Sequence, residues 1–423
     1  MLRKLFMETQ QLIPHLFRTE FAKITAVLCK LFGIQHIETA EDIASETFLS
    51  ALETWTYKGI PPNPVAWLYI VAKNKAKNHI ARNKIFTGKI QTQLKNTFDN
   101  IETIEIDLSE KNITDSQLQM MFAICHPSIP AESQIGLALR ILCGFGIEEI
   151  ANAFFSNKET ISKRLLRAKE KLKQENVTIA LPSQQEIYKR LHNVLITLYL
   201  LFNEGYYSES KNVVLREDLC QEAMRLTYLL ADNEQTNLPP VNALLALMCL
   251  QASRFAARKH ENGEMILYYD QDESLWNREL IAKGVYYLHR ASTGDTISKY
   301  HIEANIAYWH TIKEDSAEKW DNILQMYNRL LQLEYSPVAA LNRTYALSKV
   351  HGKEKAIKEA EKLQLTGNQY YYALLGELYT GIDNNRARVN FDNAIYLAKT
   401  QADKQVLMKK IDLLDTGNNS PLT

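Results

Sequence analysis

Across 423 residues the chain has only five cysteines, 15 glycines and 11 prolines, and no excess of charge of either sign. The cysteines (Cys29, Cys125, Cys143, Cys220, Cys249) are odd in number, and none falls in a C-x-x-C pair. That spacing excludes a zinc ribbon or dithiol motif and leaves buried thiols in a reducing compartment. The 49 basic and 49 acidic side chains cancel, so only local patches can attract a polyanion. Long apolar runs are missing too. Stretches such as Val194–Phe202 and Ala243–Leu250 fall short of the roughly 18–20 residues that span a bilayer. Met1-Leu2-Arg3-Lys4 runs into Glu8-Thr9-Gln10-Gln11 before an apolar signal segment forms. A cytoplasmic protein without a membrane segment is expected. No phosphate-binding glycine loop, paired metal ligands or nucleophile–base set appears, so no catalytic residue, metal or cofactor is expected.

What is present is helical period. Hydrophobic residues make up 46% of the chain, spaced for amphipathic helices nearly throughout. Only Glu264–Tyr269 looks like a strand. The fold class expected is all-α: two small helical domains followed by a long helical extension. Composition divides it into residues 1–95, an acidic linker at 96–115, a compact segment at 116–178, and an extension at 185–423. The first part ends in a basic run, Lys73, Lys75, Lys77, His79, Arg82, Lys84 and Lys89. The linker carries Asp99, Glu102, Glu105, Asp107, Glu110 and Asp115. In the extension, Leu341 and Tyr345 recur as Leu375 and Tyr379, an offset of 34 (375 − 341), with a weaker unit around Ala307. Ala387, Phe391 and Ala394 follow with small–aromatic–small spacing. A period near 34 built from helix pairs is the tetratricopeptide pattern.

Three segments carry chemistry. Ile147–Phe154, a turn at Phe155-Ser156-Asn157, and Glu159–Leu172 read as helix, turn, helix. The second helix has Ile161, Leu165, Ala168 and Leu172 on one face and Lys163, Arg164, Arg167, Lys169, Lys171 and Lys173 on the other. Such a helix enters a major groove amino end first, with Thr160 and Ser162 near the bases; a plain hairpin with a solvated face is the alternative. The basic run follows Trp67 and Tyr69, a mixture suited to a single-stranded backbone and unpaired bases, or to a surface helix with Trp67 in the core. Ala40–Trp55 is amphipathic: Ala44, Phe48, Ala51, Leu52 and Trp55 on one face, Asp42, Ser45, Glu46, Leu49 and Glu53 on another.

Their order resembles a known plan. Ala40–Phe48 with Ala51-Leu52-Glu53-Thr54-Trp55 resembles region 2.2 of bacterial sigma factors. Asn63–Ala76 is similar to regions 2.3 and 2.4, and Glu148–Lys169 to region 4.2, of the extracytoplasmic-function (ECF) group. Phe122–Pro130, Leu198–Tyr206, Asp270–Trp276 and Ser336–Arg343 resemble hallmarks of a subgroup with a long carboxy-terminal extension. Two departures stand out. Phe155-Ser156-Asn157-Lys158 replaces an apolar residue and proline at the turn, and Asn78 replaces an aspartate.

The resemblance implies a promoter-specificity subunit, not an enzyme, with core RNA polymerase and promoter DNA as partners. Asp42, Glu46 and Leu49 would meet the clamp helices of the β′ subunit, and the β flap would be a further contact. Tyr57, Lys58, Asn63, Lys73, Asn74, Lys77, Arg82 and Lys84 would hold the −10 element, with the loop Thr56–Asn63 pocketing an extruded base. Thr160, Ser162, Lys163, Arg164 and Arg167 would read the −35 element. The extension would take a protein or peptide ligand and regulate or support activity. A helix-turn-helix regulator with a tetratricopeptide sensor and no polymerase contact is the competing reading; it leaves Ala40–Trp55 and Asn63–Arg82 unexplained. His126, His289, His301 and His310 match no ligand spacing, and Asp272 or Ser274 is expected to cap a helix.

Overall fold

The computed structural model describes residues 2–86, 105–154, 156–206, 213–258, 266, 268–294, 296–398 and 401–415, apart from the side chains of 2–11, 83–86, 213–216 and 402. Among them run eighteen α-helices with short 3₁₀ and π turns and no strand. The all-α expectation holds. The chain forms two compact units, Met1–Asn237 and Leu238–Thr423.

The first unit is built around α1 (Leu2–Phe32), which packs on α2 (Ile37–Lys58) and α3 (Pro64–Phe86), and also on α4 (Glu110–Ile124) and a π turn at Ala138–Leu142. Neighbours on several sides explain why α1 is buried around much of its circumference at Phe21, Ala22, Ile24, Thr25, Ala26, Val27, Leu28 and Cys29; a helix apolar all round belongs inside. Short helices α5 (Ala131–Leu137) and α6 (Ile147–Ala153) lead to α7 (Lys158–Gln174), then α8 (Gln184–Tyr206) and α9 (Val213–Asp232). Gly136 lets α5 and α7 approach: a Cβ there would lie 2.9 Å from Leu165 Cδ2.

Two boundaries differ from the sequence reading. The acidic stretch is not all linker, because Ser109 caps α4 by accepting from the Asn112 amide, so Glu110–Asp115 is already helical, while Ile106 and Leu108 are buried. Residues 96–104, with Asp99 and Glu102, lie outside the described residues, as does Lys89. Helices α8 and α9, assigned above to the extension, pack with the first unit. Arg190 donates to the Phe122 carbonyl at 2.5 Å, Thr197 to Gln134 Oε1 at 2.9 Å, and Arg225 to the Leu142 carbonyl at 2.8 Å. Buried main-chain carbonyls take these cations because helix ends leave acceptors unpaired.

The second unit starts at α10 (Pro239–Ala252), which has proline in its first turn. Pro239–Ala257 is long and apolar enough to cross a membrane, but 78% of that window is buried inside the protein, as a core helix would be. It packs on α11 (Arg278–Ala291) and α12 (Lys299–Trp309). Helices α13 (Ala317–Leu333), α14 (Pro337–His351), α15 (Lys353–Leu363), α16 (Gln369–Tyr379), α17 (Asn384–Leu397) and α18 (Gln401–Asp415) then each pack on the next. Leu341, Leu375, Tyr379, Ala387, Phe391 and Ala394 share one core. The expected strand is not one: Tyr268–Asp270 is a 3₁₀ turn, and Glu264, Met265 and Leu267 lie outside the described residues. Asp272 caps the next turn by accepting from the Ser274 amide at 2.8 Å.

Around that turn, His310 stacks edge-on against Tyr268 and Trp320, and Lys319 Nζ donates to Tyr268 Oη at 2.8 Å and the Ile312 carbonyl at 2.6 Å. Burial, with Arg254 and Lys319 nearby, pushes the His310 pKa down to about 3. Burial also lowers Lys319 to about 8. No group of three potential ligands converges as a metal requires among the described residues.

Two outcomes follow for this unit. A Cβ on Gly376 would sit 2.5 Å from the Phe391 ring, so Gly376→Ala destabilises by about 1–3 kcal/mol, read as a lower melting temperature. The folded-state pKa of His310 lies below its unfolded value, so the unfolded chain protonates first and stability is lost as pH falls below about 6.5, by at most about 1.4 kcal/mol per unit. His310→Phe removes that share of the slope in thermal melts at pH 7 and pH 5.

Candidate nucleic-acid interface

On α2, Ile37, Ala40, Ile43, Ala44, Thr47, Phe48, Ala51 and Trp55 face inward. Leu52, expected on that face, is exposed, because the buried stripe passes through Ala51 and Trp55 and leaves it at the margin. The opposite side presents Asp42, Glu46 and Leu49 at i, i+4 and i+7, all exposed, with Leu49 59% accessible. This is one continuous acidic–apolar row. Tyr57 and Lys58 form the last turn of α2 rather than the loop, and Tyr57 is 81% exposed. Gly59, at φ 88°, ends the helix, its amide donating to the Trp55 carbonyl. Asn63 starts α3, its Oδ1 accepting from the Ala66 amide at 3.0 Å, with Pro64 at the first helical position.

A narrow stripe of Leu68, Ala72 and Ala76 seats α3, and Trp67 packs edge-on against Trp55 at 5.3 Å. Tyr69 donates to buried Glu20 at 2.6 Å. Ile70, Asn74, Asn78 and Arg82 form an exposed row, with Lys73 and Lys77 half-exposed beside it. Ile70 and Asn78 were absent from the expected contacts, although the four-residue spacing from Asn74 marks them. Lys84 is in the last turn of α3, its side chain outside the described residues. Lys75 reaches Glu46 at 3.2 Å, so the acidic row of α2 and the basic helix α3 are adjacent.

Helices α6 and α7 meet as expected. Asn157 caps α7, accepting from the Thr160 amide at 2.8 Å; Phe155 in the turn lies outside the described residues. Ile161, Leu165, Ala168 and Leu172 are buried. Thr160, Ser162, Lys163 and Arg167 are exposed, while Arg164 pairs with Glu132 at 3.1 Å and lies over Phe154. This leaves a polar amino end and a positive flank open to a phosphate backbone.

The rest of the expected basic face is occupied. Lys169 bonds Glu41, whose other oxygen accepts from Arg140 at 2.9 Å, and the Glu41 carboxylate is only 8% exposed. Lys173 pairs with Glu38 at 2.5 Å, and Gln35 donates to the Lys173 carbonyl. Burial disfavours the Glu38 carboxylate, but the hydrogen bond and charge of Lys173 outweigh it and bring its pKa below the ordinary value. Farther along this seam, Arg18 pairs with Glu149 at 2.5 Å, approaches Asp218 at 3.7 Å and lies 3.8 Å over Phe145. Gly144, at φ +71°, brings the turn against α1; its Cβ would lie 3.2 Å from the Arg18 carbonyl.

Residues 16–85 match the sigma-70 region 2 family. This segment is a sigma-70 region 2 domain. Its region 2 match runs from within α1 almost to the end of α3, the segment holding both exposed rows. Residues 190–292 match a family of unknown function, DUF6596, spanning most of α8 through α11. An uncharacterized protein of Rhizobium meliloti (strain 1021) is 33% identical over 385 residues, 90% of this chain and 91% of the relative, so the two are family members along most of their length. The RNA polymerase sigma-H factor of Pseudomonas aeruginosa is 28% identical over 145 residues, 32% of this chain and 72% of that protein. No solved structure matches. Sigma factors regulate transcription initiation without catalysing a reaction, and no enzyme family was matched.

Proposed function

We propose that this protein is a cytoplasmic sigma factor of the ECF group of the sigma-70 family that directs core RNA polymerase to specific promoters and assists opening of the DNA. The observation that supports this best is the pair of rows within region 2. Asp42, Glu46 and Leu49 offer an acidic–apolar strip for the β′ clamp helices, and Tyr57, Asn74 and Arg82 stand exposed on the neighbouring helix ends and faces.

On this reading Lys73, Lys77, Arg82 and Lys84 neutralise phosphates of the −10 element. Each neutralised phosphate releases counterions, so binding weakens steeply with salt. Tyr57 and Lys58, at the mouth of the Gly59–Asn63 loop, flank an extruded base, and Asn74 offers an amide to an unpaired edge. Helix α7 reads the −35 element through Thr160, Ser162, Lys163, Arg164 and Arg167, with the segment after residue 116 near the β flap. The helix pairs of the second unit are tetratricopeptide-like and hold a protein or peptide that regulates or supports activity.

Reconstitution with core RNA polymerase and a promoter fragment from the chain's own operon tests this. Permanganate-reactive thymines mark an opened bubble. Replacing Asp42, Glu46 and Leu49 together with alanine lowers core affinity by ~10–100-fold, about 1.4–2.8 kcal/mol. Duplex binding without any core complex or bubble supports the helix-turn-helix regulator instead.

A further inference from the structure

Cations outnumber carboxylates around Tyr268 in the second unit. Arg254 and Lys319 lie over the Tyr268 ring, 5.5 and 4.8 Å from its centre, and Lys349 lies 5.0 Å over Tyr269. Lys313 joins them, donating to the Gln271 carbonyl at 2.6 Å. Among the described residues only Asp315 pairs with any of these four. It reaches Lys349 at 3.3 Å and also accepts from the Trp320 indole. Other nearby acids are engaged: Asp272 caps the turn at the Ser274 amide, and Glu273 pairs with Arg278 at 2.7 Å.

Arg254 decides what the imbalance means. It is only 9% exposed, its Nε meets no acceptor, and among the described residues no carboxylate pairs with it. A guanidinium so enclosed is costly unless an anion joins it. Lys319 is fully buried and bonds only neutral oxygens, the Tyr268 hydroxyl and the Ile312 carbonyl. Neutral donors are in surplus as well. The Trp276 indole N–H is buried without an acceptor, and the Tyr269 hydroxyl accepts from Tyr345 at 3.2 Å, which leaves its own proton to give. Gln271 shows the opposite need, since its buried Oε1 has no donor.

We infer that this cluster is a binding site for a small phosphate monoester. A guanidinium fork grips two oxygens of such a group, and ammonium groups supply point charges beside it. The charge left over by Asp315 suits an anion of about two charges at pH 7 better than a carboxylate, which carries one. Gln271 Oε1 accepts from a hydroxyl on the organic part of the ligand. Tyr268, Tyr269 and Lys313 are half-buried and Lys349 is exposed, so they form the rim through which the ligand enters. A phosphorylated side chain of another protein would have to reach past that rim to Arg254, which favours a free small molecule. The site lies wholly within the second unit and does not depend on the sigma reading. It gives that unit a chemical signal beside the protein or peptide proposed above.

Thermal melts of the full-length chain read the site. Inorganic phosphate and phenyl phosphate are expected to raise the melting temperature saturably, and acetate at the same ionic strength is not. Titrating tryptophan fluorescence, to which Trp276 and Trp320 contribute, gives the affinity. Arg254→Gln and Lys319→Met each weaken phosphate binding by ~10–100-fold, the range for a lost charged hydrogen bond. Arg388→Gln, which removes an exposed ion pair elsewhere in the unit, leaves binding unchanged. Without ligand, Arg254→Gln keeps or raises the melting temperature, because it removes a buried charge that has no partner. A fall there marks a cation that merely holds the fold and overturns the site. So does a phosphate response that survives both substitutions, an equal response to acetate, or no response to either phosphate. A phosphoserine peptide that binds more tightly than phenyl phosphate overturns the assignment to a small molecule.

Discussion

A single carboxylate, Glu41, sets the arrangement of the first unit. It sits on the inward edge of α2, with one oxygen on Arg140 and the other on Lys169. Neither cation is near it in sequence, and neither has much access to water. An isolated carboxylate so enclosed would cost several kcal/mol, so the site is stable only with both cations in place. Arg140 is held for this role by the π turn, by its bond to the Phe145 carbonyl and by the ring of Phe21. One buried charge therefore fixes which face of α7 can meet α2.

The two exposed rows are a by-product of the same constraint. Because α2 gives its apolar stripe to α1 and its Glu38–Glu41 edge to α7, the row of Asp42, Glu46 and Leu49 is left outward. Helix α3, seated on alanines at Ala72 and Ala76, lies close and keeps its longer polar side chains on the outside. The acidic row and the basic helix touch at Lys75–Glu46, a surface pair worth less than about 1 kcal/mol, so each is free for its own partner.

Much of this was legible in the sequence. Helical period placed Ile161, Leu165, Ala168 and Leu172 inside and Asp42, Glu46 and Leu49 outside, because an amphipathic pattern reports which face is wet. It does not report what covers a charged face. Lys169 and Lys173 read as solvated cations like Lys163, and only the approach of α2, more than 100 residues away, distinguishes them. Leu52 and the Glu110–Asp115 stretch went astray for a related reason: composition sees charge and apolarity, whereas a cap at Ser109 or a stripe one residue narrower decides the local outcome. The packing of α8 and α9 with the first unit was hidden because they have ordinary apolar faces, and their attachment runs through arginines bonded to main-chain carbonyls, a partner with no residue signature.

The five cysteines form a ready-made footprint of unfolding. All are buried, and burial raises the thiols of Cys125 and Cys249 to about 12, with Cys29 and Cys143 raised as well. Since only a thiolate reacts appreciably, each is inert to alkylation until its surroundings loosen. Cys29 lies beneath Glu41 and Cys143 beside Gly144, on the two sides of the seam; Cys220 sits under Phe202, between α8 and α9; Cys249 belongs to the other unit. The order in which a thiol reagent reaches them is therefore a clock for which part of the molecule gives way first, and the chain carries it without any engineered label.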